Sequence, residues 1–191
     1  MSMKKRMSSE ESRALALETA RRLLLSEDRQ AVTLKAVASR LGRTHANLLH
    51  HFGSANGLHD ELAGYIADQL CLSLKREVKA IGNPQPTRRE LVDALFRVID
   101  RDAGGSVVNW LLSTGHEESI VKVARQFDEL YRQHFPVTGS KSQLGDVSRK
   151  GFGIMLVVLG NALLGSSLAD AFAANPDAAR QMAGNLVEEA A

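Results

Sequence analysis

Apolar residues recur along this chain at intervals of three and four, and no segment alternates in the two-residue rhythm of a strand. The longest run is Leu58, Leu62, Ile66, Leu70, Leu74, Val78 and Ile81. It predicts one long helix, stopped by the Gly82-Asn83-Pro84-Gln85-Pro86 segment. Three shorter helices precede it. Ser8-x-x-Glu11 reads as a capping box opening a helix to about Leu25, with Leu15, Thr19 and Leu23 inward. After a polar break at 26–30, Thr33 caps a second helix, Val32 staples onto Val37, and Leu41-Gly42 ends it. A third runs from about Thr44 to His50.

Five helices are predicted beyond the long one. Thr87-x-x-Glu90 caps the fifth, with Leu91, Leu95 and Val98 inward, and Gly104-Gly105 breaks the chain after it. A short apolar sixth holds Val107, Val108, Trp110, Leu111 and Leu112. Thr114-x-x-Glu117 is expected to cap the seventh, which carries Ile120, Ala124, Phe127, Tyr131 and Phe135. Pro136 to Ser140 is a loop, and the eighth helix runs from about Ser142 to Ala173. Asn175-Pro176 then opens a ninth with a cap residue and a first-position proline. The predicted fold is all-α, with a boundary near residue 54: a three-helix head over 1–53 and a six-helix body over 54–191.

Composition narrows the class. Of 191 residues, 44% are hydrophobic and 24% charged, values of a globular chain that exclude a wholly disordered one. Cys71 is the single cysteine, which excludes an internal disulfide and fits a reducing, cytoplasmic setting. Lys4-Lys5-Arg6 leads into polar residues rather than an apolar core, so no secretory signal is read there. Residues 151–169 carry no charge, and the expectation is a helix buried on most sides, not a membrane span. Charge is uneven: residues 1–60 hold 10 Lys+Arg against 6 Asp+Glu, whereas 61–191 hold 14 against 16. A basic first third points towards a polyanion.

Residues 33–52, TLKAVASRLGRTHANLLHHF, have the form of two short helices joined by a glycine turn. Ala38 allows a close crossing, Gly42 makes the turn, and Val37, Leu41 and Leu48 supply a small core. The second helix then offers its first turn outward, where side chains can reach base edges in a major groove. With the His50-His51-Phe52-Gly53-Ser54 turn into a long helix and an all-helical remainder, the chain resembles the TetR family of transcriptional regulators.

The resemblance implies a repressor that binds palindromic double-stranded DNA as a homodimer and responds to a small, largely apolar effector. It implies no cofactor. Base readout is expected from Arg43, Thr44, His45 and Asn47, with Arg suited to guanine and Asn to adenine, and phosphate contact from Thr33, Lys35 and His50. The chain departs from the family where a phosphate-touching Tyr is usual (Leu49) and where the turn usually carries Lys (Ala55). Weaker, less salt-sensitive DNA binding follows, unless Arg43, His50 or the Lys4-Lys5-Arg6 arm compensates.

In the body, Leu70, Leu74, Phe96, Val107, Trp110, Leu111, Phe127, Tyr131, Phe152 and Met155 are candidates to line an effector pocket, with ordinary core as the alternative for each. Trp110, on a short helix after a glycine pair, is the foremost. Asp100, Arg101 and Asn109 could add polarity. Leu156, Leu159 and Leu163 with Ala179, Met182, Ala183, Leu186 and Val187 form the expected dimer surface. His45, His50, His51 and His59 include no pair four apart, so no metal site is read from them; His51 is expected beside Phe52 in the head's core. No nucleophile elbow, phosphate loop or zinc motif appears, and no enzymatic activity is expected. The alternative function is a helical ligand- or protein-binding module of this fold with weakened or lost DNA recognition.

Overall fold

The computed structural model describes residues 8–26, 32–136 and 141–188. All regular structure among them is helical: α1 (Ser9–Ser26), α2 (Leu34–Leu41), α3 (His45–Phe52), α4 (Ala55–Ala80), α5 (Arg88–Val98), α6 (Gly104–Ser113), α7 (Glu117–His134), α8 (Lys141–Phe172) and α9 (Ala178–Glu188). A π-helical turn, Ile99–Ala103, joins α5 to α6. The chain forms two compact units, 1–66 and 67–191, divided within α4. The first unit thus takes in the opening turns of α4 as well as α1 to α3. The Lys4-Lys5-Arg6 arm, the polar break after Ser26 and most of the loop before α8 lie outside the described residues.

In the first unit, local caps set the helix ends. Ser8 and Glu11 form the expected capping box, with Ser8 N–H donating to Glu11 Oε2 at 2.7 Å and Glu11 N–H to Ser8 Oγ at 3.1 Å. Thr33 Oγ1 accepts from Ala36 N–H at 3.1 Å. Gly42, at φ 62°, takes the left-handed conformation that closes α2, with Arg43 N–H donating to Ala38 O at 2.9 Å. The buried face of α1 is Ala16, Leu17, Ala20, Leu23 and Leu24. Leu15, expected inward, is 44% exposed. It projects roughly 140° away from the face that Ala16 and Ala20 centre. Those alanines pull the helix close by being small, and a pattern weighted by large residues misses them.

In the second unit, α9 packs on α5 and α8, and α6 packs on α8. Val92, Leu95, Phe96, Trp110, Phe127 and Ile154 are among its fully buried core residues. The Thr87–Glu90 capping box forms as expected. The other two predicted caps do not form where expected. Thr114 Oγ1 donates to Trp110 O at 2.7 Å and lies 2.8 Å from His116 Nδ1, so it closes α6 rather than opening α7. The N-cap of α7 is His116, whose side chain makes no capping bond. Asn175 Oδ1 accepts from Asp177 N–H at 2.8 Å in a tight turn, and α9 begins only at Ala178.

α8 corrects a second expectation. It is long and apolar enough over 149–172 to cross a membrane by length and composition, yet 17% of its most apolar stretch is buried. Ile154, Met155 and Val158 face inward, while Phe152, Leu156, Leu164, Leu168 and Phe172 are exposed. The helix is therefore buried along one side and not on most sides. Its end holds a strained residue: Ala173 has φ 49°, a left-handed backbone with Ala174 N–H donating to Ala169 O at 2.9 Å. Ala173→Gly removes the Cβ clash and is expected to stabilise the unit by about 0.5–1 kcal/mol, net of the extra unfolded-state freedom. A urea midpoint that fails to rise in the variant would count against this.

Candidate functional site

The residues proposed to face DNA sit on α2, α3 and the turn between them. Beneath that surface lie Val37, Ala38 and Leu48, each at most 2% exposed, with Leu34 and Phe52. Burying Leu48 and Phe52 fixes which way α3 faces, because residues four apart share one helix side. The residues that α3 presents to solvent are His45, Ala46, Leu49 and His50. Lys35, Arg40, Arg43 and Thr44 are exposed as well, so seven basic or polar side chains, with Thr33, share this region of the chain.

Two of the predicted contacts have prior engagements. Thr33 and Thr44 are N-caps, accepting from Ala36 N–H and from Asn47 N–H at 3.2 Å. Each hydroxyl keeps its own proton free to donate to a phosphate. Asn47 is half-buried, and its amide oxygen is buried without a hydrogen-bond partner. Asn47, expected to read bases, is thus less open to solvent than Arg43, Thr44 and His45. His51 is half-buried, its ring edge-on to Phe52 with centroids 6.4 Å apart. His59 Nε2–H donates to Val32 O at 3.0 Å and ties the start of α4 to the chain before α2.

The sequence reading did not anticipate the scaffold behind α3. Arg13 on α1 pairs with Glu61 on α4, and its guanidinium lies 5.7 Å from the centre of the Phe52 ring. Glu18 holds Arg21 and Arg22 and accepts from Tyr65 O–H at 3.1 Å. Burial opposes ionisation of Glu18, but these bonds outweigh it and hold its carboxyl below the usual range. Gly57 completes the junction: a Cβ there would collide with the Phe52 carbonyl. The lack of a side chain at Gly57 thus lets α4 start close against the end of α3. Such pairs link residues 47 or 48 positions apart, beyond the reach of any local motif.

In the second unit, nine of the ten effector candidates are buried: Leu70, Leu74, Phe96, Val107, Trp110, Leu111, Phe127, Tyr131 and Met155. Leu70, Val107, Leu111 and Met155 meet around a closed apolar cavity with room for little more than a water molecule. Trp110 is 1% exposed and stacks parallel on His116 at 5.7 Å, so it is held in place rather than loose. Phe152 is the exception, at 65% exposed. With Phe127 and Met155 it lines an open groove of about 540 Å³ between α7 and α8, edged by Arg125, Asp128, Glu129 and Arg132. Asp100 pairs with Arg180 at 3.2 Å, and Arg101 with Glu77 at 2.6 Å, leaving both in surface ion pairs. Asn109 is exposed.

The expected dimer surface divides in two. Leu156, Leu163 and Met182 are exposed at 55%, 38% and 61%, and Leu159, Ala179 and Leu186 are half-buried. Ala183 and Val187 are fully buried within the unit, where α9 packs on α5 and α8, so they leave the surface a partner could touch. Among the described residues, no three His, Cys, Asp or Glu side chains gather as a metal site. No protein-family model matches the chain, and no curated protein is significantly similar to it.

Proposed function

We propose that this chain is a TetR-like transcriptional regulator, a repressor whose helix-turn-helix head reads palindromic DNA as a dimer. The observation that carries the reading is the pairing of α2 and α3. A left-handed glycine turn joins two helices of eight residues, both capped by threonine, around Val37, Ala38 and Leu48. The outward side of that pair carries Lys35, Arg43, Thr44, His45 and His50 and no carboxylate. In this reading Arg43 and His45 contact base edges, Thr33, Lys35 and His50 contact phosphates, and Asn47 reads adenine only after its side chain swings outward. The exposed apolar face of α8 supports a second copy as the partner. The open α7–α8 groove is the roomier place for an apolar effector, since the closed cavity must expand before it admits one.

Selection of duplexes from a random library by the purified chain at low salt tests this. An inverted repeat with half-sites about one helical turn apart is the expected product. Enrichment of unrelated sequences would argue for the second reading, a helical ligand- or protein-binding module with lost DNA recognition. That reading is favoured by Leu49, which is 41% exposed where a phosphate-binding side chain is usual in the family. A companion prediction separates weak binding from lost binding. Leu49→Tyr with Ala55→Lys adds two phosphate contacts at exposed positions. It is expected to tighten binding to any duplex and, because only the lysine adds charge, to steepen the salt slope by about 1. Unchanged affinity and slope in the double variant would show that these positions do not face the backbone.

A further inference from the structure

We propose that duplex binding by the α2–α3 surface is coupled to proton uptake by His45 and His50, so that affinity rises as pH falls through neutrality. The inference rests on the DNA-binding reading above and adds a regulation to it. Its basis is the composition of one helix. The exposed residues of α3 are His45, Ala46, Leu49 and His50. α3 holds no lysine, arginine, aspartate or glutamate, and His45, His50 and the half-buried His51 are its only ionisable groups. Its charge is therefore set by pH, where a reading helix bearing Arg or Lys keeps a permanent one.

The surroundings leave these imidazoles without an acidic partner. From residue 29 to residue 59 the sequence contains no Asp or Glu at all. α2 and the turn contribute Lys35, Arg40 and Arg43, and the neighbouring ring is His51, 5.9 Å from His50. α1 contributes Glu10, Glu11, Arg13, Glu18, Arg21 and Arg22, and the start of α4 contributes His59, Asp60 and Glu61. Four of those carboxylates are engaged: Glu11 with Ser8 N–H, Glu18 with Arg21 and Arg22, Glu61 with Arg13, and Asp60 also. Neither His45 nor His50 makes a hydrogen bond or ion pair among the described residues.

A phosphate backbone supplies the missing anion. Bringing it beside an imidazole favours the protonated form, so the complex holds more protons than the free chain. By linkage, each coupled histidine can raise affinity up to tenfold per pH unit. Each added charge also releases about one more counterion, which the salt slope reads separately.

Fluorescence anisotropy of a labelled mixed-sequence duplex with the full chain tests this, across salt series at about pH 6 and about pH 8. The wild type is expected to bind at least roughly tenfold tighter at the lower pH, with a salt slope steeper by up to about 2. His45→Gln with His50→Gln is expected to bind at both pH values as the wild type does at the higher one. His45→Lys with His50→Lys is expected to bind tightly at both. Both pairs of changes lie at exposed positions, and unchanged helical circular dichroism confirms that the variants fold. Duplex binding that is independent of pH in the wild type, or pH dependence that survives the glutamine pair, overturns the inference and leaves the DNA-binding reading standing. No duplex binding at either pH and low salt would overturn that reading itself, and the inference with it.

Discussion

Leu48→Ala is expected to destabilise the first unit by about 2–5 kcal/mol, whereas Leu49→Ala changes its stability by no more than about 0.5 kcal/mol. The two leucines are sequence neighbours with opposite surroundings. Leu48 is 1% exposed and lies in the core with Val37, Ala38 and Phe52; Leu49, about 100° further round α3, is 41% exposed. Truncating Leu48 removes three buried carbons and leaves a cavity between α2 and α3, in a unit of only 66 residues. Small units have little stability in reserve, so a loss of this size unfolds a measurable fraction of them. Leu48→Met, which nearly conserves volume, is expected to cost less than about 1.5 kcal/mol. Urea unfolding of the three variants, followed by helical circular dichroism, gives the comparison. Equal destabilisation by the Leu48 and Leu49 truncations would mean that α3 is rotated from the orientation described here. Under the DNA-binding reading, Leu48→Ala should also lose duplex retention, because the proposed contact residues are held in place only while α3 is docked.

Leu156→Glu combined with Leu163→Glu is expected to turn a dimer into a monomer. Residues seven apart on a helix share a face, so these two project with Phe152 from the exposed side of α8. Under the dimeric reading that side meets its two-fold mate, and each change is felt twice. Four carboxylates would be desolvated without cationic partners. Even after relaxation such burial costs several kcal/mol, enough to weaken association by roughly a hundredfold or more. Sedimentation at micromolar concentration reads the outcome. Helical circular dichroism should be unchanged, since neither leucine contributes to the unit's own core. A wild type that sediments as a monomer would refute the dimer directly. A variant that remains dimeric would move the interface off this face of α8. Ala183 and Val187 offer a contrast: charge placed there should unfold the unit rather than separate subunits, because both are buried inside it.

The sequence by itself determined the helices and most of their ends. Helical periodicity is a local property, and Leu58 to Val78 announce α4 because each lies on one stripe whatever covers it. The Ser8–Glu11 and Thr87–Glu90 boxes, the Thr33 cap and the Gly42 turn were equally legible, since donor and acceptor lie within three or four residues of each other. Thr114-x-x-Glu117 has the same spelling and fails. The carbonyl of Trp110, left open at the end of α6, competes for the same hydroxyl, and sequence spacing does not rank the two partners.

Only the tertiary structure decided which faces were used. It turned Leu15 outward, left Asn47 half-buried, buried Ala183 and Val187, and left Phe152 exposed. It also placed Glu61 on Arg13 and Tyr65 on Glu18, across separations that no pattern encodes. The reason is physical. A cap or a turn is an interaction of a residue with its own neighbourhood, written in consecutive letters. Burial depends on which distant surface arrives to exclude water, and an apolar residue reads the same in a core, beside a cavity or on a face awaiting a partner.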